Sequence, residues 1–468
     1  MSELRGHQFL KSAKLQESID GAIAELKEHS SKINSIKGPD KEHEASHQQL
    51  VDEIAKYRGR PLFYPYIGTG LGNGPYVELE DGSVKMDLIN GIGVHIQGHS
   101  HPQVTRAILE GGMADVLNHG NLQANKEYLF LKKKLVELAK GSNLKHAWLT
   151  TCGTMANENA LKMARQKNSP ARKIISMGKA FAGRSTMMAE VTDNPAYKQG
   201  LPDYNEVLRV PFCNKFDANM CKTSCGKDTA FSTLKKHIEE NKGDIAAFVF
   251  EPILGEGGYQ VPCSEFFLPM LKLCKENGIA VWADEVQTFL RTGQPYAFQT
   301  LGFGEYVDIV TIAKTAQLGA TLFTEEYAPK PGLVAGTFAG TTPAMRAGLE
   351  IIDIMETQNF FGEKGRTMQI GKRFEEGLKK LEAGSCKGMI SDIVTQGMMV
   401  AYTPGDGEKQ TMIDYLKVLY KNGIITLGCG RGPFRARFLI PMVITDEQID
   451  EAVSVMEKSL LELKELKV

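Results

Sequence analysis

The sequence has almost no net charge and no long apolar run. Its 468 residues carry 55 Lys and Arg against 56 Asp and Glu, a formal net charge of −1. Such a small charge provides no basic field to attract nucleic acid or an anionic membrane. The sequence contains no stretch of about 18 apolar residues, which argues against a membrane-spanning helix. The first twenty residues contain Glu3, Glu17 and Asp20 and no apolar segment, so we expect a cytoplasmic protein without a signal or transit peptide.

Cysteine is also sparse, with eight residues in the whole sequence, too few for a disulfide framework in a protein of this length. Cys221 and Cys225 form a CxxxC pair, but no second Cys or His pair has matching spacing, so we interpret them as free thiols. His95, His99 and His101 in "GVHIQGHSHP" lie in an expected strand-to-helix turn. This position favours a structural role for them, and we expect no metal.

The sequence is rich in short apolar segments that alternate with helical segments between about residues 95 and 340. The expected strands are "HAWLT", "KIISMG", "IAAFVFEPI", "IAVWADE" and "DIVTIAK", and "SEFFLPMLKLCKENG" is typical of the helices. This alternation predicts a mostly parallel sheet crossed by helices.

The flanking segments have other patterns. Residues 8–29 have helical apolar spacing, a polar linker follows at 29–48, and Asp81-Gly82 indicates a hairpin. Near the other end we expect a long helix at 344–382, two strands, and a final helix capped by Thr445 and Gln448. The sequence thus predicts an α/β protein with three parts: a helical arm and linker (1–50), a small α+β domain (51–94 plus 345–468) and a large α/β domain (95–344).

Two loops could bind phosphate. The glycine-rich "GTGLGNG" at 68–74 precedes a hairpin, where a dinucleotide fingerprint requires a helix, so we disfavour it. In "TTCGTMANENALKMAR", Gly153 and Thr154 form a turn between a strand and a helix, and free N–H groups at a helix start favour an anion. Phe181 follows the next strand and could contact a flat ring, although core packing is the simpler interpretation for that residue alone.

Two adjacent acids, Asp284 and Glu285, end the apolar strand "IAVWADE". Burying a carboxylate is unfavourable unless a cation or strong donors meet it. Thirty residues later, Lys314 ends another apolar strand, where burial should lower its pKa and make the amine nucleophilic. An ion pair between Asp284 and Lys314 is the simple alternative, but it would not explain the anion site and the aromatic residue.

Pyridoxal 5'-phosphate has groups that match all four features. Its phosphate would lie at Gly153 and Thr154, its ring against Phe181, its ring nitrogen at Asp284, and its aldehyde on Lys314 as a Schiff base. We therefore expect pyridoxal phosphate as the cofactor.

With these motifs the sequence resembles the class III (ω-amino acid) aminotransferases, which are fold-type-I pyridoxal-phosphate enzymes. The resemblance runs from about residue 60 to the C-terminus. The motifs that carry it are "GHSHP", "CGTMANENALK", "FAGRS", "EPILGEGG", "ADEVQTFLRTG", "IAKTAQLG", "GTFAGTTP" and "RFLIPMVIT".

The resemblance implies further cofactor contacts. Asp284 would bind the pyridine nitrogen, Val286 would pack on the ring, and Gln287 would hydrogen-bond the ring hydroxyl. Lys314 would carry both the aldehyde and the transferred proton. Thr337 in "GTFAG" would reach the phosphate of the neighbouring subunit, which implies a homodimer.

The resemblance also implies three substrate-binding residues. Glu256 would pair with Arg437, which would leave it to bind the carboxylate of a 2-oxo diacid. Counting forward from "GCG" favours Arg435 instead, and spacing alone leaves both open. Arg184 matches the residue that holds the donor carboxylate in 4-aminobutyrate- and ornithine-type members.

The implied reaction is a ping-pong transfer of an amino group from an ω-amino acid or amine to a 2-oxo acid, with 2-oxoglutarate as the first candidate. "CGTMANENALK", "LGCG" and the 23-residue step from Lys314 to Thr337 favour the 4-aminobutyrate type. "TAQLGA", "AGTTP" and Ala182 depart from the family pattern beside the substrate, so ornithine- and lysine-type donors stay open. The alternatives are a mutase or decarboxylase on the same fold, or a non-catalytic binding protein.

Overall fold

The computed structural model describes residues 4–115, 122–216 and 226–465. Cys221 and Cys225 lie outside these ranges. The helices are α1 (Arg5–Leu10), α2 (Ala13–Ser30), α3 (Lys41–Arg58), α4 (Asn90–Gly93), α5 (Pro102–Gly112), α6 (Lys126–Leu138), α7 (Gly153–Lys167), α8 (Thr186–Val191), α9 (Lys227–Glu240), α10 (Ser264–Glu276), α11 (Ala297–Leu301), α12 (Thr342–Thr357), α13 (Arg366–Ala383), α14 (Lys409–Lys421) and α15 (Asp446–Glu465).

The strands form three sheets. They are β1 (Gly68–Asn73), β2 (Tyr76–Leu79), β3 (Val84–Asp87), β4 (His146–Thr150), β5 (Lys173–Met177), β6 (Val207–Val210), β7 (Ile245–Phe250), β8 (Ala280–Asp284), β9 (Ile309–Ile312), β10 (Gly319–Phe323), β11 (Ile390–Gln396), β12 (Met399–Pro404), β13 (Ile424–Ile425), β14 (Leu427–Cys429) and β15 (Arg435–Leu439).

The central sheet has seven strands in the order β4-β10-β9-β8-β7-β5-β6. All its strands run parallel except β10, which is antiparallel to both neighbours. Every residue of β7, β8 and β9 is buried, because helices cover both faces, and this explains their continuous apolar sequences. The predicted mostly parallel sheet is confirmed, and the five predicted strands are β4, β5, β7, β8 and β9.

Two four-stranded sheets contain the flanking strands. One has the order β1-β2-β3-β13, so a strand from the C-terminal part pairs in parallel with a strand near the N-terminus. The other, β11-β12-β15-β14, is antiparallel throughout. The hairpin at Asp81-Gly82 joins β2 to β3, and Thr445 and Gln448 form the predicted capping box before α15. The predicted smaller α+β portion is thus present.

The prediction of one long helix at 344–382 is wrong. Helix α12 ends at Thr357, and α13 begins at Arg366. Between them Asn359 and Gly362 take left-handed φ values of 57° and 92°, which no α-helix accommodates. Gly362 N–H donates to the carbonyl of Gly293 at 2.8 Å, which holds the turn in place.

The polar linker predicted at 29–48 is also wrong in its second half. Helix α3 begins at Lys41, and Glu42 and Glu44 in its first turn suit the positive end of the helix dipole. His47, within the helix, is buried, and its Nε2 lies 2.9 Å from the carbonyl oxygen of Pro65. The segment "GTGLGNG" forms strand β1 and part of the following turn. In the described ranges no helix has the length and apolarity needed to cross a membrane.

Candidate functional site

A cavity of about 380 Å³ lies at the carboxyl ends of the parallel strands, where ligands bind in open α/β sheets. We call it the inner cavity. Seven of the eight residues predicted to bind the cofactor line it, namely Gly153, Thr154, Phe181, Asp284, Val286, Gln287 and Lys314. The eighth, Thr337, lies exposed on the segment between β10 and α12 and does not line this cavity.

Asp284 is the last residue of β8 and is buried. Its Oδ2 accepts a hydrogen bond from Asn157 Nδ2 at 2.7 Å, and its Oδ1 accepts one from the N–H of Val286 at 3.0 Å. Burial raises the pKa of Asp284 to about 6, although both donors oppose the shift. Asn157 is a site residue that the sequence reasoning missed. The feature of the sequence that could have identified Asn157 was a polar residue in the first turns of α7, within the motif "CGTMANENALK".

Glu285 follows directly but faces a different environment. Its side chain accepts hydrogen bonds from the Thr288 hydroxyl at 2.5 Å and from the N–H groups of Ala297 and Phe298 at 2.8 Å each. Burial raises its pKa to about 7. No cation is paired with Glu285 among the residues that the structure describes. It therefore fixes the start of α11 and takes no part in the inner cavity.

Lys314 lies just beyond β9 in a short 3₁₀ turn, with a left-handed φ of 54°. Burial, followed by the charge of Arg437, lowers its pKa to about 8. A lysine with such a pKa has a sizeable neutral fraction near pH 7 to 8 and can act as an amine nucleophile. Within the described chain Lys314 and Asp284 form no salt bridge, so the simple ion pair considered above is wrong.

The phosphate position suits an anion. Helix α7 begins at Gly153, and Cys152 before it gives no side-chain cap to the first turn, which leaves N–H groups free to bind an anion. A methyl group on Gly153 would lie 2.8 Å from Val286 Cγ1, so the backbone reaches the cavity only without a side chain. A methyl group on Gly183 would likewise collide with the Thr154 hydroxyl at 2.5 Å.

Two buried polar atoms near the ring position lack partners among the described residues. They are Gln287 Oε1 and Asn157 Oδ1, and both residues line the inner cavity. Buried polar atoms are normally hydrogen-bonded, so these oxygens indicate a polar ligand. The residues present therefore fit pyridoxal phosphate, with an acceptor for the ring hydroxyl, a carboxylate for the ring nitrogen and an amine for the aldehyde.

Glu251, after β7, is a second residue that the sequence reasoning missed. It is buried, lines the inner cavity, and accepts hydrogen bonds from the N–H groups of Phe181 and Gly255 at 2.9 Å each. Burial and the charge of Asp284 raise its pKa to about 8. The feature of the sequence that could have identified Glu251 was an acid at the end of a buried strand, in the motif "EPILGEGG". Through the Phe181 N–H, Glu251 holds the loop that brings the phenyl ring to the cavity.

A second cavity of about 540 Å³, the outer cavity, also borders Phe181. It is lined by all three predicted substrate-binding residues, Arg184, Glu256 and Arg437. Arg437 Nη1 lies 2.6 Å from Glu256 Oε1, and the Arg437 side chain is only 3% exposed. Burial tends to lower the pKa of Arg437, but the charge and hydrogen bond of Glu256, together with Tyr259 and Cys429, hold the pKa above the usual value. The predicted pairing of these two residues is thus present.

Arg435 has quite different contacts. It is buried, donates hydrogen bonds to the backbone carbonyls of Gly258 and Asp392, and lies over the ring of Phe216 at 4.3 Å. It lines neither cavity. Of the two arginines that sequence counting left open, Arg437 is therefore the one placed at a cavity.

Arg184 is exposed to the outer cavity, and its guanidinium carbon lies 4.0 Å from the ring centroid of Tyr197. Stacking on an aromatic ring fixes the plane of a guanidinium and leaves its edge free for a carboxylate. The histidines have other contacts. His99 Nε2 lies 3.2 Å from Asp87 Oδ2, and no group of three or more potential metal ligands occurs in the described ranges.

The known proteins that this chain is similar to are named aminotransferases. The family model described as Aminotransferase class-III matches residues 65–460. The chain is 31% identical over 401 residues to a probable 4-aminobutyrate aminotransferase of Bacillus subtilis (strain 168), covering 81% of this chain and 89% of that protein. It is 30% identical over 406 residues to an acetylornithine aminotransferase of Aquifex aeolicus (strain VF5), covering 83% and 96%.

A solved structure shows the same fold. The ornithine aminotransferase from Toxoplasma gondii ME49 superimposes with a TM-score of 0.77 over 90% of this chain and 96% of that chain, at 22% identity. At this identity the likeness establishes the fold alone.

Proposed function

This chain belongs to the class-III aminotransferases, and from that premise we propose that it transfers the amino group of an ω-amino acid to 2-oxoglutarate. The predicted family, fold type, enzyme class and cofactor are confirmed by the family match and the fold. A mutase or decarboxylase on this fold and a non-catalytic binding protein are not favoured. The observation that carries the proposal is the pair of the buried Arg437 with the half-buried Glu256, whose charges both act on Lys314.

When bound, pyridoxal phosphate supplies an aldehyde for the amino group and an electron-withdrawing ring for the negative charge that develops at the reacting carbon. Asp284, oriented by Asn157, would stabilise the positive charge of the ring nitrogen. Gln287 Oε1, which has no partner among the described residues, would face the ring hydroxyl. Lys314 would hold the aldehyde, and its amine would serve as the acid and base that moves a proton during the transfer.

The Arg437–Glu256 pair lets one cavity accept two kinds of substrate. While Glu256 neutralises Arg437, an ω-amino acid enters with its amine towards Lys314 and its carboxylate on Arg184. An uncovered Arg437 would instead attract an α-carboxylate and present the wrong amino group. When 2-oxoglutarate arrives, Arg437 leaves Glu256 and binds the carboxylate next to the oxo group as a two-point contact. The donor leaves as an aldehyde, and 2-oxoglutarate leaves as glutamate.

A homodimer completes the proposed site. Helices α5 and α6 both pack on α12. Apolar side chains on or beside these helices are exposed on the single chain, namely Met113, Leu129, Phe130 and Phe338. A second copy covering these side chains would bring the exposed Thr337 to the partner's phosphate position, as the family resemblance implies.

The cytoplasmic location is likewise proposed. Cys152, Cys274, Cys386 and Cys429 are free thiols, which suits a reducing compartment. Fractionation of cells that express the protein would test this, and recovery with a secreted marker would contradict it.

The experiment that tests the function is a pair of half-reactions followed by the absorbance of the bound cofactor. 4-Aminobutyrate or glutamate alone should convert the cofactor to its amino form, and 2-oxoglutarate should reverse the change. Neither a mutase nor a decarboxylase requires this exchange. Lys314→Ala should abolish both half-reactions, since general acid–base catalysis alone contributes about 10²–10⁴-fold.

The switch is tested in the same assay. Glu256→Ala should speed the reaction with glutamate and slow it with 4-aminobutyrate. Arg437→Ala should raise the KM for 2-oxoglutarate by about 10- to 100-fold, as expected for losing a charged contact of about 1.5–3 kcal/mol. Arg435→Ala is the matched control: it should lower the Tm but leave the substrate constants of the folded enzyme unchanged. Equal effects of Glu256→Ala on both donors would contradict the switch.

A further inference from the structure

The outer cavity has an excess of positive charge. Five cationic side chains line it, namely Lys179, Arg184, Lys409, Arg431 and Arg437. Only two acids of the described chain line it, Asp193 and Glu256, and both are engaged. Glu256 pairs with Arg437, and Asp193 Oδ2 accepts the Lys179 backbone N–H at 2.7 Å and lies 3.4 Å from Arg431 Nη2. Within the described ranges the side chains of Lys179, Arg184 and Lys409 form no salt bridge, although the charge of Asp193 acts on Lys179.

Lys179 is held in an uncommon conformation. Its φ of 65° lies in the left-handed region, where a lysine is rare. The bond from its N–H to Asp193 fixes one side of the residue. On the other side Gly257, next to Glu256, packs so closely that a methyl group there would lie 2.7 Å from the Lys179 carbonyl oxygen. Uncommon backbone conformations of this kind concentrate at functional sites.

The environment of the Lys179 side chain is also unfavourable for its protonated ammonium form when no anion is bound. The residue is half-buried, and burial, with the charges of Arg431 and Arg435, lowers its pKa, although the charge of Asp193 opposes the shift. A cation that lies among other cations at a cavity and forms no salt bridge is stabilised when an anion binds.

We propose that Lys179 acts with Arg184 to bind the carboxylate at the far end of the amino donor, and that the donor is an ω-amino acid whose far end bears a carboxylate and no second ammonium group. This inference rests on the proposed function and specifies its donor. A donor of the ornithine or lysine type would bring an additional ammonium group beside that carboxylate. In this cavity the ammonium group would meet unpaired cations, while both acids are already engaged.

The test compares four donors in the first half-reaction: 4-aminobutyrate, butylamine and 1,4-diaminobutane, which share a four-carbon chain, and ornithine, whose chain is one carbon longer. For the wild-type enzyme, kcat/KM should be highest with 4-aminobutyrate. Lys179→Gln should raise the KM for 4-aminobutyrate about ten-fold with little change in kcat, and should leave butylamine within about two-fold. Lys179→Arg should restore most of the affinity.

Two control variants and one ligand separate the contribution of the Lys179 amine to donor binding from effects of the backbone and of the other cations. Lys179→Gly accepts the left-handed backbone without strain, so a loss equal to that of Lys179→Gln assigns the effect to the side chain. Lys409→Gln removes an exposed cation at the start of α14 in the same cavity and should change the KM by less than about two-fold. Butanoate, which lacks the amine, should raise the Tm of the wild type and not that of Lys179→Gln.

Equal losses for 4-aminobutyrate and butylamine in Lys179→Gln would overturn the role of Lys179. A wild-type preference for 1,4-diaminobutane or ornithine would overturn the donor assignment while leaving the aminotransferase function intact. Failure of the wild-type enzyme to react with glutamate would overturn the proposed function itself, and the inference with it.

Discussion

At the scale of single residues, two adjacent buried carboxylates differ because different donors meet them. The Glu285 carboxyl group accepts hydrogen bonds from N–H groups at a helix start and from a hydroxyl, so it needs no ligand. Among the described residues Asp284 accepts hydrogen bonds from Asn157 and one backbone N–H only, and it lines the inner cavity. The sequence predicted that a buried acid here required a partner. The burial argument alone could not tell the two acids apart, because the donors to Glu285 come from residues up to 13 positions away in the chain. Asp284 was chosen through the match to the cofactor and the family resemblance.

Lys314 gives a pH-dependent prediction. An amine attacks an aldehyde only when neutral, so the rate at which the apoenzyme takes up pyridoxal phosphate should rise with pH and level off above the lysine's pKa of about 8. The measurement is the absorbance change on mixing apoenzyme with cofactor across a pH series. Lys314→Ala is the control for titration of the cofactor itself and should lack this rise. A rate that still increases towards the pKa of an ordinary lysine, about 10.4, would contradict the lowered pKa.

At the scale of helices and strands, the predictions succeeded where burial on both faces forces a continuous apolar segment. Strand β4 coincides with the predicted "HAWLT", and β5 and β7 to β9 were also predicted. The reversal of β10 was not predicted, since strand direction depends on the length and path of the connection rather than on composition. The division between α12 and α13 was not predicted either. Residues on both sides of Gly362 have helical spacing, so the apolar pattern continues across the turn.

The start of α7 is an element whose position can be tested with one methyl group. Gly153→Ala should leave the helix folded, but its Cβ would lie 2.8 Å from Val286 Cγ1 and displace a side chain that borders the ring position. We expect the Kd for pyridoxal phosphate to rise roughly ten-fold, because a charged hydrogen-bonded contact at this turn is weakened. The measurement is a cofactor titration of the apoenzyme.

The matched control is Gly21→Ala in α2, where a methyl group meets nothing within 4 Å. This change should stabilise the protein by about 0.5–1 kcal/mol through helix propensity and leave the Kd unchanged. If both variants bound the cofactor like the wild type, the contact between Gly153 and Val286 would not determine the phosphate position.

At the scale of the whole molecule, segments that are far apart in the sequence meet. Strand β13 pairs with β3, and Leu439 N–H donates to the carbonyl of Leu88 at 2.7 Å, so C-terminal residues such as Arg437 are held against the N-terminal sheet. We propose the division into an arm (1–50), a small domain (51–94 plus 345–468) and a large domain (95–344). The first boundary falls inside α3. The sequence did not indicate this helix, because it is polar along most of its length.

The proposed homodimer predicts that two defective chains restore each other. If Thr337 contacts the phosphate of the partner's site, a mixed dimer of Lys314→Ala and Thr337→Ala chains has one site with both residues and one site with neither. Each variant alone lacks one residue at every site. Co-expression of equal amounts, assayed at limiting pyridoxal phosphate, should therefore recover roughly a quarter of wild-type activity, since half of the dimers are mixed and half of their sites are intact.

The activity of the mixed dimer shows whether Thr337 serves the partner's site or the site of its own chain. If Thr337 served its own chain's site, a mixed dimer would hold one site without the lysine and one without the threonine, and activity would not rise above that of the separate variants. Thr337→Ser, which keeps the hydroxyl, should have wild-type cofactor affinity and so test that the hydroxyl is the group concerned. Sedimentation of the wild-type protein as a monomer at assay concentrations would contradict the dimer directly. The exposed apolar side chains Met113, Leu129, Phe130 and Phe338 would then require another covering partner.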